Sequence, residues 1–101
     1  MASLEWTLTA KNDLKNIFDY ISKDSTYYAK TFIEKISNET KRMKSNPKIG
    51  RVVPEYNLDE LRELIFGNYR IIYRIESERI IIVTIFHAAR DLSKYDVKKW
   101  E

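Results

Sequence analysis

The sequence predicts an α+β fold in the order β-α-α-β-β-β, with a helical hairpin packed on one face of a small antiparallel sheet. Three observations lead to this prediction. The chain opens with a short alternating stretch, two amphipathic helical patterns follow, and residues 61–86 contain three runs rich in Ile, Val, Tyr and Phe. At 101 residues, the chain is expected to form a single domain spanning 1–101.

Residues 3–8 alternate between apolar and polar side chains, which is typical of a half-buried strand. Thr9 then fits the N-cap of a helix near 10–22, because a threonine hydroxyl can accept a hydrogen bond from the first turn. The apolar positions of this stretch recur at i, i+3, i+4 and i+7: Leu14, Ile17, Phe18 and Ile21.

A second helix is expected to begin at Asp24 or Ser25 and to end at Asn46-Pro47. Its apolar positions also keep helical spacing: Ala29, Phe32, Ile33, Ile36, Thr40 and Met43. Since only two or three residues join the two helices, they should form an antiparallel hairpin whose apolar faces need a sheet to cover.

The connection at 48–60 is long for a compact domain, so it is either functional or packed by its own side chains. Four of its side chains could provide this packing: Val52, Val53, Tyr56 and Leu58. Arg51 could point outward from the connection.

The central stretch predicts an antiparallel meander of strands near 61–66, 69–75 and 79–86. Gly67-Asn68 suits a two-residue turn, because glycine adopts positive φ without a Cβ clash. The last strand is apolar on both faces, so both faces should be covered.

The middle strand of the meander places Arg70 and Arg74 on the face opposite Tyr69 and Tyr73. If the helices cover the tyrosine face, these arginines line an open, concave side that could bind a phosphodiester. The wider set of candidate functional residues lies near the ends of the strands: Arg51, Arg62, Arg70, Arg74, His87, Arg90 and Tyr95. The alternative is a solvated face on which the arginines pair with nearby acids: Glu63, Glu76 and Glu78.

Several other residues also have two interpretations. His87 is either a packed side chain at a strand end or a proton-transfer group, since its ordinary pKa suits transfer near neutrality. Four tyrosines are interpreted as core or rim packing rather than base-stacking platforms: Tyr27, Tyr28, Tyr69 and Tyr73. Residues 93–101 are expected to form a short helix or an extended tail, in which Trp100 would either fold back onto the sheet or mark a partner surface.

Composition narrows the function classes. The chain contains no cysteine, which excludes disulfides and thiolate metal sites and fits a reducing cytoplasm. No apolar run reaches the roughly 20 residues that span a bilayer, and no signal-peptide pattern opens the chain, so we expect a cytoplasmic protein.

P-loop, GxGxxG, HExxH and CxxC motifs are absent from the sequence, and no cofactor is expected. The net charge of +3 permits an acidic or phosphate-rich partner without requiring one.

The order and spacing of short motifs along nearly the whole chain resemble the RelE/ParE superfamily of type II toxin–antitoxin toxins. The N-terminal part of the resemblance comprises Trp6-Thr7-Leu8-Thr9-Ala10, Asp13-Leu14, Ile17 and Tyr20-Ile21. The central part comprises Pro47, Gly50-Arg51, Val53-Pro54-Glu55 and Arg62-Glu63-Leu64-Ile65. The strongest part is Gly67-Asn68-Tyr69-Arg70-Ile71-Ile72-Tyr73-Arg74-Ile75, followed by His87-Ala88-Ala89-Arg90-Asp91.

The resemblance implies one of two activities. RelE-like members are ribosome-dependent endoribonucleases that cut mRNA. For this activity Arg70 matches their sheet arginine and would stabilise the phosphate, and Tyr95 aligns loosely with their C-terminal tyrosine. The other catalytic candidates under this alternative are Arg62 and Arg90 as helpers and His87, which sits earlier than the histidine of some ribonucleases. ParE-like members keep the fold, lack that catalytic set and bind DNA gyrase. The chain departs from the ribonucleases where it reads Arg62-Glu63-Leu64 and Ala88-Ala89-Arg90.

The Trp-Thr opening and the His-Ala-Ala-Arg-Asp ending are closer to ParE-like sequences. We therefore expect a growth-inhibiting, plasmid-stabilising toxin that binds gyrase and is neutralised by a cognate antitoxin. The expected partner-binding residues are Arg51, Arg74 and Trp100. The alternatives are a metal-independent ribonuclease acting on mRNA at the ribosome, and a degenerate member that keeps only antitoxin binding.

Overall fold

Two helices cover one face of a five-stranded sheet in the computed structural model, which describes residues 2–88. The elements follow in the order β1 (Ser3–Trp6), α1 (Leu8–Ser22), α2 (Thr26–Ser45), β2 (Arg51–Val52), β3 (Leu61–Phe66), β4 (Tyr69–Glu76) and β5 (Arg79–His87). Buried side chains of both helices, including Ile17 and Ile36, pack against Ile71, Tyr73 and Ile82 of the sheet. The predicted α+β class and the helical hairpin on a sheet are confirmed.

The first helix begins earlier than predicted. Thr7, rather than Thr9, caps α1, because its hydroxyl oxygen accepts a hydrogen bond from the Ala10 N–H at 3.0 Å. The same hydroxyl donates to the Val83 carbonyl at 2.7 Å, which ties the start of the helix to the sheet. Of the two predicted caps of α2, Asp24 and Ser25, the structure confirms Ser25, whose hydroxyl accepts from the Tyr28 N–H at 3.1 Å.

The strand order across the sheet is β1-β5-β4-β3-β2. The predicted meander of β3, β4 and β5 is confirmed, and Gly67, with a φ of 57°, forms its first turn. β1 pairs with β5 in parallel, so the sheet is mixed rather than wholly antiparallel. The alternation of residues 3–8 could not show this, because it reports the two faces of a strand and not the direction of its neighbour.

A two-residue strand within the 48–60 connection was not predicted. This strand, β2, pairs antiparallel with β3 and places Arg51 opposite Glu63. Two residues are too few to show an alternating pattern, so only the pairing partner reveals the strand. β2 forms the edge of the sheet, and the residues directly after it pack on the face that the helices do not cover.

The connection packs on this helix-free face. Val53 is fully buried against Leu61, Ile72 and Val83, and Tyr56 packs on the same cluster. Both faces of β5 are therefore covered, as predicted. Leu58 does not pack as predicted, since 39% of this residue is exposed. It follows a turn in which the Asn57 N–H donates to the Val53 carbonyl. Among the described residues, no helix is long and apolar enough to cross a membrane.

Candidate functional site

Four charged side chains form a cluster on the helix-free face, hereafter the charge cluster: Arg51, Glu55, Glu63 and Arg70. Arg70 lies on β4, and its Nε donates to Glu63 Oε1 at 2.5 Å. Its Nη1 and Nη2 donate to the two carboxylate oxygens of Glu55, each at 2.8 Å. The other oxygen of Glu63 accepts from Arg51 Nε at 2.5 Å. Both forked edges of the Arg70 guanidinium thus face carboxylates, and the cluster carries no net charge.

The centre of the charge cluster is buried. The side chain of Arg70 is 6% exposed and that of Glu63 is fully buried. Hydrogen bonds to Glu55, and then those to Glu63, outweigh burial and raise the pKa of Arg70 above its ordinary value. Arg70 therefore stays cationic while its charge is neutralised in place, which is how a buried charge is tolerated.

The expectation that Arg70 lines an open surface is wrong. The 48–60 connection folds over the helix-free face and brings Glu55 against the guanidinium. The Phe86 ring lies 5.7 Å from the guanidinium carbon. The alternative interpretation, pairing with Glu63, is confirmed.

Arg62 lies on the opposite, helix-covered face. It sits opposite Tyr73 in the β3–β4 register, and Tyr73 belongs to the core beneath the helices. Residues opposite each other in paired strands share a face. Arg62 Nη1 donates to the Gly50 carbonyl at 3.0 Å, and Nη2 donates to the Asp59 carboxylate at 2.7 Å. Through these bonds Arg62 holds both ends of the 48–60 connection against β3.

His87 is exposed at the end of β5, opposite Tyr69. The two rings meet edge to face with centroids 5.9 Å apart, and Tyr69 packs against the helix-covered core. His87 therefore lies on the same face as Arg62, but Arg62 is opposite the residue four positions further along β4. Arg90, Tyr95 and Trp100 lie outside the described residues.

The sheet separates the described candidates for ribonuclease chemistry. Arg70 is on the helix-free face, whereas Arg62 and His87 are on the helix-covered face. Arg62 pairs with Tyr73 and His87 with Tyr69, and these two tyrosines are four positions apart on β4. Four strand residues span about 13 Å. A phosphate stabiliser and a proton-transfer group must both reach the same reacting centre. These three residues are not brought together around such a centre, and their catalytic roles stay predictions.

Arg74 and Arg51 are the described members of the predicted partner-binding set. Arg74 pairs with Glu76 at 3.7 Å, as predicted, but its side chain is only 12% exposed, so it does not lie on a solvated face. It lines a cavity of about 410 Å³ together with Glu5, Arg79 and Leu8. Arg51 is more accessible, with 64% of its side chain exposed. Their partner-binding roles also stay predictions.

Comparisons with known proteins identify the family. The family model described as ParE toxin of type II toxin-antitoxin system, parDE, matches residues 4–92. This chain belongs to the ParE toxin family. A search of curated proteins found no match.

Two solved structures show the fold of this ParE-family toxin. One is a chain of the chromosomal ParDE toxin–antitoxin system from P. aeruginosa, with a TM-score of 0.71 and 24% identity, covering 86% of the toxin and 96% of that chain. The other belongs to the RelBE2 toxin–antitoxin complex from Mycobacterium tuberculosis, with a TM-score of 0.55 and 20% identity, covering 85% and 96%. The toxin therefore shares the fold that the resemblance implied.

The toxin exposes three tyrosines near the turn between its helices. Tyr20 and Tyr28 are each 67% exposed and Tyr27 is 73% exposed, so the prediction that Tyr27 and Tyr28 pack in the core or rim is wrong. The rings of Tyr27 and Tyr28 contact each other edge to face, with centroids 5.8 Å apart. Tyr73 is buried, as predicted.

Shallow cavities lie beside this turn. One of about 460 Å³ includes Tyr28, Phe32 and Tyr69 in its lining, and one of about 410 Å³ includes Tyr20, Tyr69 and His87. Within residues 2–88, no group of three or more His, Cys, Asp or Glu side chains could hold a metal ion.

Sequence reasoning did not identify Glu55 as the ligand of Arg70. The rest of the connection, β3 and a turn separate the two residues along the chain, and no periodic pattern relates them. The only signal was the presence of Val53-Pro54-Glu55 among the motifs of the family resemblance. A buried arginine next to one sheet carboxylate could have suggested a search for a second acid in the covering loop.

Proposed function

We propose that this toxin arrests growth by binding DNA gyrase, and that a cognate antitoxin neutralises it. Membership in the ParE family supports the proposal, because the resemblance to ParE-like toxins implies gyrase binding without the ribonuclease residues. The proposed activity is therefore binding to a protein target and not cleavage of a nucleic acid.

The state of Arg70 carries this proposal. Stabilising charge on a scissile phosphate requires hydrogen-bond donors aimed at the position of that phosphate. In this toxin the guanidinium is buried, and its Nε, Nη1 and Nη2 atoms already donate to Glu63 and Glu55. Arg62 and His87, which would have to complete the site, lie across the sheet.

The exposed tyrosines support a protein target. Tyrosine is enriched among the residues that dominate the binding energy of protein interfaces, since it offers a large contact area with few rotatable bonds. Tyr20, Tyr27 and Tyr28 project from one end of the helical hairpin and are mostly exposed. We propose that this end of the toxin contributes to the contact with gyrase.

The antitoxin part of the proposal rests on the neighbours and on charge. Both similar structures are described as toxin–antitoxin systems or complexes. The net charge of +3 suits the acidic segments that commonly fold when they bind a toxin.

A supercoiling assay with purified gyrase, relaxed plasmid and purified toxin tests the proposal. We expect the toxin to inhibit supercoiling in a dose-dependent way and to leave RNA in the same reaction intact, because the proposed activity is binding and not cleavage. Absence of any effect on gyrase at saturating toxin would contradict the proposal.

A matched set of surface variants tests the proposed contact. Tyr27→Ser combined with Tyr28→Ser should raise the inhibitory concentration about tenfold or more, since loss of an interface anchor typically costs more than about 1 kcal/mol. Lys23→Ser, at an exposed position in the same turn, is the control and should inhibit like the wild type. Unfolding midpoints of all variants should match the wild type, which separates lost contact from lost structure.

A further inference from the structure

We infer that the outer edge of β1 is the docking site for an extended segment of the antitoxin, which adds a strand to the sheet there. In the sheet that residues 2–88 form, β1 has one neighbour, β5, and lies at the edge opposite β2. The inference rests on the antitoxin part of the proposed function and does not depend on gyrase. It concerns where the antitoxin binds and through which backbone groups.

The outer edge of β1 presents backbone groups that are available to a partner. The N–H groups of Ser3 and Thr7 donate toward β5, at 2.8 and 3.0 Å. Successive residues of a strand direct their N–H and C=O groups to opposite sides, so those of Leu4 and Trp6 point away from β5. Within the described part of the chain, no strand pairs with that side. An added strand could therefore bond to β1 without displacing another one.

β1 lacks the features that usually keep an exposed edge from pairing. Such edges commonly carry proline, lysine or a bulge. The strand Ser3–Trp6 contains neither proline nor lysine, and its register with β5 is unbroken. Its one charged side chain, Glu5, accepts from Arg79 Nε at 2.5 Å and is thereby neutralised. An edge of this kind suits strand addition, in which main-chain hydrogen bonds hold an extended peptide against a sheet.

An apolar cavity adjoins this edge at Trp6. Its volume is about 360 Å³, and its apolar lining comes from Trp6 and from both helices: Leu14, Phe18 and Ile33. The side chains of an added strand project alternately to the two faces of the sheet. Those on the helix-covered face would contact this cavity, which selects apolar residues at every second position of the segment.

Two lysines at the cavity select the charge of the segment. Lys11 and Lys15 belong to the cavity lining, and both are exposed. Lys15 forms a surface ion pair with Asp19 at 3.2 Å, and Lys11 has no ion pair among the described residues. Because an exposed ion pair is weak, both ammonium groups can engage acids of a partner. The segment that fits is apolar toward the cavity and acidic beside it, which is the chemistry of acidic segments that fold on binding.

A second copy of this chain fits the same edge less well. Its own β1 would present Leu4 and Trp6 on the helix-covered face, and it has no acid on that face to engage Lys11 and Lys15. The charge at the cavity therefore favours an acidic partner over a copy of the toxin.

Amide hydrogen exchange at residue resolution tests the inference, on the full toxin alone and in complex with its cognate antitoxin. The N–H groups of Leu4 and Trp6 should exchange at least about tenfold more slowly in the complex, because the added strand would accept from them. The Thr7 N–H is the internal control. It already donates toward β5, so its exchange should change much less.

A matched pair of double variants tests the charge at the cavity. Lys11→Glu with Lys15→Glu should raise the dissociation constant of the toxin–antitoxin complex about tenfold or more, as measured by surface plasmon resonance. Lys23→Glu with Lys41→Glu makes the same change in net charge at exposed lysines outside the cavity lining, and it should raise that constant by less than about twofold. Equal unfolding midpoints of both variants and the wild type would show that the fold is retained.

A complex in which the Leu4 and Trp6 amides exchange as fast as in the free toxin would overturn the inference, even if the lysine changes weaken binding. A helix lying in the cavity would then be the binding mode. Slowed exchange of the same amides in the free toxin that increases with toxin concentration would assign the edge to a second copy and would also overturn it. If the wild-type toxin forms no complex, the antitoxin proposal itself fails, whereas the other outcomes overturn only the docking site.

Discussion

Replacing Tyr73 by phenylalanine should destabilise the fold strongly, although only one oxygen atom is removed. The buried Tyr73 hydroxyl donates to the Pro47 carbonyl at 2.7 Å and accepts from the Gly50 N–H at 2.8 Å. Both bonds join the core to the start of the 48–60 connection. Leaving a buried donor unsatisfied costs about 1–3 kcal/mol, and the lost bond to Pro47 adds about 1 kcal/mol. We expect a loss of about 3 kcal/mol in the free energy of unfolding, or about 12–24 °C in the midpoint.

Urea and thermal unfolding of Tyr73→Phe and Tyr20→Phe measure this effect. Tyr20→Phe makes the same chemical change on a side chain that is 67% exposed, and it should alter stability by less than about 0.5 kcal/mol. Equal stability of the two variants would refute the reasoning, because it would show that the Tyr73 hydroxyl does not hold the connection.

Three further predictions follow from the same structure. Burial raises the pKa of Tyr73, so the folded state holds the hydroxyl proton more tightly than the unfolded state does. The free energy of unfolding should therefore fall as the pH rises above about 10, and it should fall more steeply in the wild type than in Tyr73→Phe. Urea unfolding at each pH measures this. Gly50→Ala places a Cβ 2.5 Å from the Glu63 carbonyl oxygen and should cost about 3 kcal/mol or more in urea unfolding, whereas Gly67→Ala, in open space but at a φ of 57°, should cost about 1–2 kcal/mol. Thr7→Ala should lower the free energy of unfolding by about 1 kcal/mol or more, and Thr9→Ala by much less, because Thr7 is the helix cap.

Most of the fold could be predicted from local patterns. Gly67 and the alternating runs around it gave the meander, and helical spacing gave the hairpin, because each pattern reports which side of its own element is buried. The turn at Gly67 needs positive φ, which glycine supplies.

The rest depended on contacts between distant parts of the chain. The parallel pairing of β1 with β5 follows from the path of the chain through the helices, which alternation does not record. Thr7 became the cap because its hydroxyl also reaches Val83, 76 positions away. The open face predicted for Arg70 was covered by Glu55, whose position depends on how the connection folds over the sheet. Distant pairings of this kind also decide which candidate residues can act together.

The central claim, a toxin that binds gyrase and does not cleave RNA, is tested most directly by mapping mRNA 5′ ends in cells minutes after induction without antitoxin. We predict growth arrest with no new 5′ ends inside translated codons, because the described arginine and histidine candidates are divided between the two faces of the sheet. New ends clustered within codons would contradict the account and would establish a ribosome-dependent ribonuclease.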